Sequence, residues 1–244
     1  MAGHSKWANI KHRKAQQDAV KGRVYTRLIR EITVAAKMGD PDPSSNPRLR
    51  TAVDKAFAAN MSRDVVDRAI KRGAGGVDGA VLEEVRYEGY GPGGVAVIVE
   101  CMTDNRNRTV ADVRHAFTKM GGNLGTDGSV SWMFNKLGQM TFEPGANEER
   151  VMEIALENGA EDITVNDDKS IEVLTAPENF QMCLDAMSKA NLKPAESEIS
   201  LIAKTGAPID DKDTADKFLR LVDMLEELDD VQNVYSNAEL PETD

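Results

Sequence analysis

Cysteine, histidine, aromatic residues and long apolar runs are all scarce in this 244-residue chain, and each shortage removes a class of function. The two cysteines, Cys101 and Cys183, lie in an apolar strand-like segment and a helical pattern, without the CxxC spacing of a metal or redox site; both read as buried packing residues. Of the three histidines, His4 and His12 have no neighbouring cysteine or carboxylate cluster, too few ligands for a metal, and no cofactor is expected. No nucleophile has an adjacent base and no carboxylate pair is tied to a cleft, so the chain reads as a non-enzyme. The longest apolar run, Val95 to Val99, is five residues, against the roughly 20 that cross a bilayer. The first residues are basic but lack the apolar stretch of a secretory signal, which predicts a cytoplasmic protein with no membrane partner. Aromatic content of 5%, with 41% hydrophobic and 29% charged residues, fits an ordinary globular protein.

What the chain has is charge of two signs kept apart. The first 72 residues hold 16 Lys and Arg against 7 Asp and Glu, whereas the remaining 172 hold 14 against 34. The total of -11 and a pI near 4.9 suggest repulsion from nucleic acid, but salt screens charge beyond about 10 Å, so local charge decides local contacts. A basic arm joined to an acidic body is the expected footprint of a polyanion binder.

Helical periodicity is clearest from Arg23 to Lys37, where Val24, Tyr25, Leu28, Ile29, Ile32, Ala35 and Ala36 share one arc and Arg23, Arg27, Arg30 and Lys37 the opposite one. That helix is expected to pack with one face and present cations with the other. Residues 39–45 break it; Asn46 and Pro47 read as the cap and first position of a second helix, and Ser62 as the cap of a third that stops at Gly73-Ala74-Gly75-Gly76, read as a flexible joint. Strands are predicted at 83–88 and 94–102, a helix capped by Thr109 with Asp112, and a strand at 129–134. From Leu137 onward the order is βαββαβ: strands at 138–143, 162–166, 170–174 and 196–204, helices at 147–158 and 177–190, with a hairpin turn at Asn166 to Lys169. This is the split βαβ, ferredoxin-like unit. A helix at 212–228 and a strand near 231–235 finish the chain, and the simplest closure pairs them with residues 80–134. The fold class is α+β: an N-terminal three-helix bundle followed by two α/β domains, the ferredoxin-like one inserted in the other. The expected boundaries are 1–79 for the basic helical domain, 80–134 plus 206–244 for the split domain and 135–205 for the insert.

Lys6, Trp7, Lys11, His12, Arg13, Lys14, Lys21 and Arg23 interleave cations with an aromatic ring, a pattern suited to phosphate contact with Trp7 stacked on a base or sugar. Arg27 and Arg30 extend this set along the helix. In Asp104-Asn105-Arg106-Asn107-Arg108 two arginines at a helix start suit phosphate or base contact, and suit capping and ion pairing equally. The glycine-rich stretches 88–94 and 121–129 lack the strand-to-helix context of a phosphate loop and read as structural turns. The acidic run Glu226 to Asp230 reads as a solvated helix end.

MAGHSKWANIKHRKA at 1–15, NPRLR at 46–50, RAIKRG at 68–73, YEGYGPGG at 87–94, DNRNRT at 104–109 and GGNLGTDGSV at 121–130 together make the chain closely resemble the YebC/PmpR family, over essentially its whole length. The resemblance implies the three-part fold above and a cytoplasmic DNA-binding regulator of transcription. Other members of the family, including mitochondrial translational activators of cytochrome c oxidase, imply an alternative: a ribosome-associated translation factor that binds ribosomal RNA and relieves stalling at proline-rich stretches. The oligomeric state is left open.

Overall fold

The computed structural model describes residues 21–75 and 82–241, the side chains of residues 21 and 22 excepted. Among the described residues three helices come first: α1 (Lys21–Met38), α2 (Pro47–Ala58) and α3 (Arg63–Gly73). Their common core is Ile32, Ala35, Ala36, Leu49, Ala52, Ala56, Met61, Val66 and Ala69, against which Tyr25, Leu28 and Ile29 pack. Asn46 caps α2 by accepting from the Leu49 N–H at 3.1 Å, while its amide donates to Ala35 O at 2.9 Å and so ties the loop to the end of α1. Ser62 occupies the cap position of α3 in an extended conformation but makes no side-chain cap bond.

Gly73 is not part of a loose joint. It closes α3 so tightly on α1 that a Cβ there would lie 2.3 Å from the Thr33 carbonyl oxygen.

The next elements are β1 (Glu83–Tyr90), β2 (Ala96–Thr103), α4 (Arg106–Lys119) and the short β3 (Asn123–Leu124). The chain then leaves this sheet for residues 132–206, which form a compact unit of their own. That unit comprises β4 (Phe134–Phe142), α5 (Glu148–Glu157), β5 (Ala160–Val165), β6 (Ile171–Thr175), α6 (Phe180–Lys189) and β7 (Glu196–Ala203). Its sheet order β5-β6-β4-β7, antiparallel throughout, is the ferredoxin-like arrangement. Met140, Phe142, Val151, Ile154, Ile171, Val173, Cys183 and Met187 fill its core. Residues 129–134 do not form the separate strand expected: Ser131–Met133 is a single helical turn, and one long strand begins at Phe134.

After β8 (Ala207–Pro208), α7 (Lys212–Glu226) and β9 (Val231–Ser236) return to the first sheet. There β9 pairs antiparallel with β2, Val99 opposite Val234, giving the order β3-β1-β2-β9, and β10 (Ala238–Glu239) pairs with β8. The fold is thus α+β, with a ferredoxin-like unit inserted in a second α/β part behind a three-helix bundle. The three helices, the first sheet, α4 and α7 belong to one compact unit.

Replacing Gly73 by Ala is expected to force α3 away from α1 and to cost about 1–3 kcal/mol of stability. Urea unfolding of the full chain measures this, and an unchanged midpoint would contradict so close a helix contact.

Candidate nucleic-acid interface

The basic arc of α1 faces inward. Arg27 Nη2 donates to the Glu226 carbonyl at 2.6 Å, so a cation closes the C-terminal end of α7, where the helix dipole and unpaired carbonyls favour positive charge. Burial pushes the Arg27 pKa down, opposed by Glu226, and neighbouring Arg23 lowers it further. Arg30 Nη1 donates to Met102 O at 2.7 Å and to Asp230 Oδ1 at 2.6 Å. Lys37 Nζ reaches the Leu82 carbonyl at 3.3 Å from an exposed position. The expectation that this arc presents cations therefore fails for Arg27 and Arg30. A reason is visible in the helix itself: Val34 lies on the same arc and is 2% exposed. The helix is packed on two sides, by its bundle and by the acidic end of the sheet.

Asp230 is where these contacts converge. The acidic run was expected to be solvated, yet Asp230 is 5% exposed and accepts from Arg30, from Arg108 Nη2 at 2.8 Å, from Thr109 Oγ1 at 2.7 Å and from Thr103 Oγ1 at 3.2 Å. Burial alone would raise its pKa, but the hydrogen bonds from Arg108, Thr109 and Arg30 outweigh that and hold the carboxyl below its ordinary range. Thr109 is not the cap of α4, as its spacing with Asp112 suggested. Asn105 is, accepting from the Arg108 N–H at 3.1 Å, which leaves the Thr109 hydroxyl buried and free to donate to Asp230. Cys101, 2% exposed and also near Asp230, has its thiol pushed up to about 12 by burial, which keeps it protonated and inert.

The remaining predicted residues divide as follows. Lys6, Trp7, Lys11, His12, Arg13 and Lys14 lie outside the described residues, and of Lys21 only the backbone is described, at the start of α1. Arg23 is half-buried and makes no ion pair with a described residue. Arg106 is largely exposed and pairs with Glu83 at 2.9 Å; Arg108, half-exposed, bridges Asp104 and Asp230. Both members of the DNRNR loop therefore ion-pair, and only Arg106 keeps most of its surface open.

Sequence reasoning passed over α3. Arg63, Arg68, Lys71 and Arg72 are all exposed, and the 68, 71, 72 spacing places three of them on one side of the helix, interleaved with Asp64 and Asp67. Arg68 is braced by its bond to the Asp64 carbonyl at 3.1 Å. The signal was present in RAIKRG, where the apolar residues Ala69 and Ile70 turn inward and the cations outward.

Sequence models of the TACO1/YebC protein N-terminal domain and of the TACO1/YebC second and third domain match residues 5–76 and 82–238. A relative from Coxiella burnetii, named "probable transcriptional regulatory protein", is 63% identical over 242 residues, 99% of each chain. One of the same name from Pseudomonas putida is 60% identical over 240 residues, covering 98% of this chain and 96% of the relative. Among solved structures, a conserved hypothetical protein from Aquifex aeolicus superposes with a TM-score of 0.84 at 45% identity, covering 93% of both chains. No helix among the described residues is long and apolar enough to cross a membrane.

Asp230→Asn should leave Arg30 without a charged acceptor and Arg108 with Asp104 alone, and cost about 3 kcal/mol at neutral pH, in the range for breaking one partner of a buried pair. Because the folded pKa of Asp230 is depressed, its stabilisation is complete above the ordinary carboxylate value of about 3.9 and is lost as pH falls through the lower folded value. Denaturation curves of the two proteins should differ at pH 7 and converge only in strong acid. A gap that closes between pH 5 and 7 would contradict this assignment.

Proposed function

Because this chain belongs to the TACO1/YebC family, we propose that it is a nucleic-acid-binding regulator of gene expression, acting on DNA to regulate transcription and not as an enzyme. The observation that carries the reading is the exposed cation row of α3, Arg68, Lys71 and Arg72, which adds a structured surface to the basic segment of Lys6, Lys11, Arg13 and Lys14. The names of the Coxiella and Pseudomonas relatives support transcription as the process regulated. Lys and Arg neutralise phosphates with release of counterions, so the contact is general for the backbone and steep in salt.

A second reading is favoured by a specific observation. The exposed arc of α3 offers Arg, Lys and Asp but no Asn or Gln to read base edges in a major groove, and Arg27 and Arg30 are engaged internally. Arg and Lys can read guanine, so what this face lacks is an adenine reader, and cations of this kind also suit ribosomal RNA, recognised by shape and phosphate, as in a translation factor.

On duplex DNA the log-log salt slope is expected to be about -0.9 per phosphate contacted. Arg68→Glu/Lys71→Glu/Arg72→Glu should flatten it by about 2–3 and weaken binding to all sequences alike. A slope near zero in the unmodified protein would remove nucleic acid as the partner. Discrimination between promoter fragments below about tenfold, together with salt-resistant co-sedimentation with ribosomes, would select translation over transcription.

A further inference from the structure

A cleft of about 420 Å3 opens beside β1, lined among others by Arg86, Tyr87, Arg106, Asn107, Val110 and Asp127. Three separate elements build it: a strand, the start of α4 and the glycine-rich turn at 125–129. Its basic groups are already matched, Arg106 to Glu83 at 2.9 Å and Arg86 to Glu100 at 2.8 Å. The Asn107 amide and the Asp127 carboxylate, by contrast, have no partner among the described residues. Tyr87 is half-buried, its hydroxyl 3.4 Å from the Arg106 carbonyl, and with half-buried Val110 supplies the apolar part of the lining.

The turn that carries Asp127 is held in place. Glu88 is buried and accepts the N–H groups of Val130 and Ser131, both at 2.8 Å, and its own carbonyl accepts from Gly125 N–H at 2.8 Å. Burial would raise the Glu88 pKa, but those backbone hydrogen bonds, with that of Gly128, keep it ionised and the turn fixed. Ser129 N–H donates to Thr126 O at 3.1 Å, and Gly128 takes the positive φ of 82° that closes the turn. Asp127 thus sits at the tip of a pre-formed turn, where an unpaired acceptor loses little entropy on binding.

We infer that this cleft receives one unpaired guanine of a single-stranded nucleic acid, stacked on Tyr87 with its Watson–Crick edge on Asp127. A carboxylate only accepts, and it binds best a group with two adjacent donors. Among the bases, guanine alone offers such a pair, N1–H beside N2–H2. An aromatic wall with polar edge readers is how splayed bases are held, and Arg106, largely exposed though paired with Glu83, lines the same cleft and can exchange that partner for a flanking phosphate. The inference rests on the nucleic-acid reading above and gives it a base preference that the cation rows lack.

The test is titration of the 15N-labelled full chain with 5′-GMP, IMP and AMP, followed by UUGUU and UUAUU as RNA and their DNA equivalents. GMP should shift the amides of 106–107 and 125–128 and bind about tenfold more tightly than AMP, with IMP between them, since one bidentate pair is worth roughly 5- to 150-fold. Asp127→Asn, an exposed change with no lost internal partner, should abolish the guanine preference, and Tyr87→Leu should weaken all three nucleotides. Equal binding of GMP and AMP, or a preference surviving Asp127→Asn, overturns the inference. Equal affinity for the RNA and DNA oligomers means that the cleft reads the base alone; an RNA advantage adds a 2′-hydroxyl contact to the same guanine site. A flat salt slope on long duplexes with intact GMP binding would sink the proposed function and leave the cleft standing, and the reverse result would do the opposite.

Discussion

One carboxylate joins the two halves of this protein's charge. Asp230, itself buried, gathers a guanidinium from the helical bundle, a second from α4 and two threonine hydroxyls. Such a group is costly to bury and strongly held once all its lone pairs are used. Its position, between the end of α7 and the start of β9, fixes three things together: the seat of α1 on the sheet, the start of α4 and the entry of the last strand. Arg27, closing α7 four residues before Asp230, adds a second cation to the same seam.

The positive charge of the N-terminal part therefore has two destinations. Some of it is internal adhesive between a basic bundle and an acidic sheet, as at Arg27, Arg30 and Arg48, the last pairing with Glu31 and Glu84. Other cations, among them Arg68, Lys71 and Arg72 on α3, face solvent. A formal charge count merges the two and overstates the cations available to a partner. Glu88 plays on the other flank of the sheet the part that Asp230 plays here, but it collects backbone N–H groups in place of arginines, and so fixes a turn where Asp230 fixes a packing seam.

Most of the architecture was legible because period and punctuation agree along the chain. The βαββαβ order from 134 to 203 follows from alternation and turn residues, and Asn46-Pro47 marks a helix start as capping chemistry requires. The seam was not legible, because a helical wheel ranks residues by type and arginine counts as outward whatever it meets. Val34, in the middle of the basic arc, was the one local sign that the arc is covered. Asp230 looked like one acid among several in a polar run; its partners Thr103, Thr109 and Arg30 are separated from it by 121 to 200 residues, and no local window connects them. Gly73 misled in the opposite direction, since a glycine that permits close approach and a glycine that permits bending are the same letter.

The inserted unit also sets an order of events during synthesis. Arg30 emerges early, and its acceptor follows 200 residues later, after the whole of 132–206 has been made. At about 5–20 residues per second the interval is on the order of 10–40 s. Once made, the central strand β2 has one neighbour instead of two until β9 follows, and throughout the interval the α1 cations that end up internal stand bare beside the polyanion nearest to any nascent chain, the ribosome that is making it.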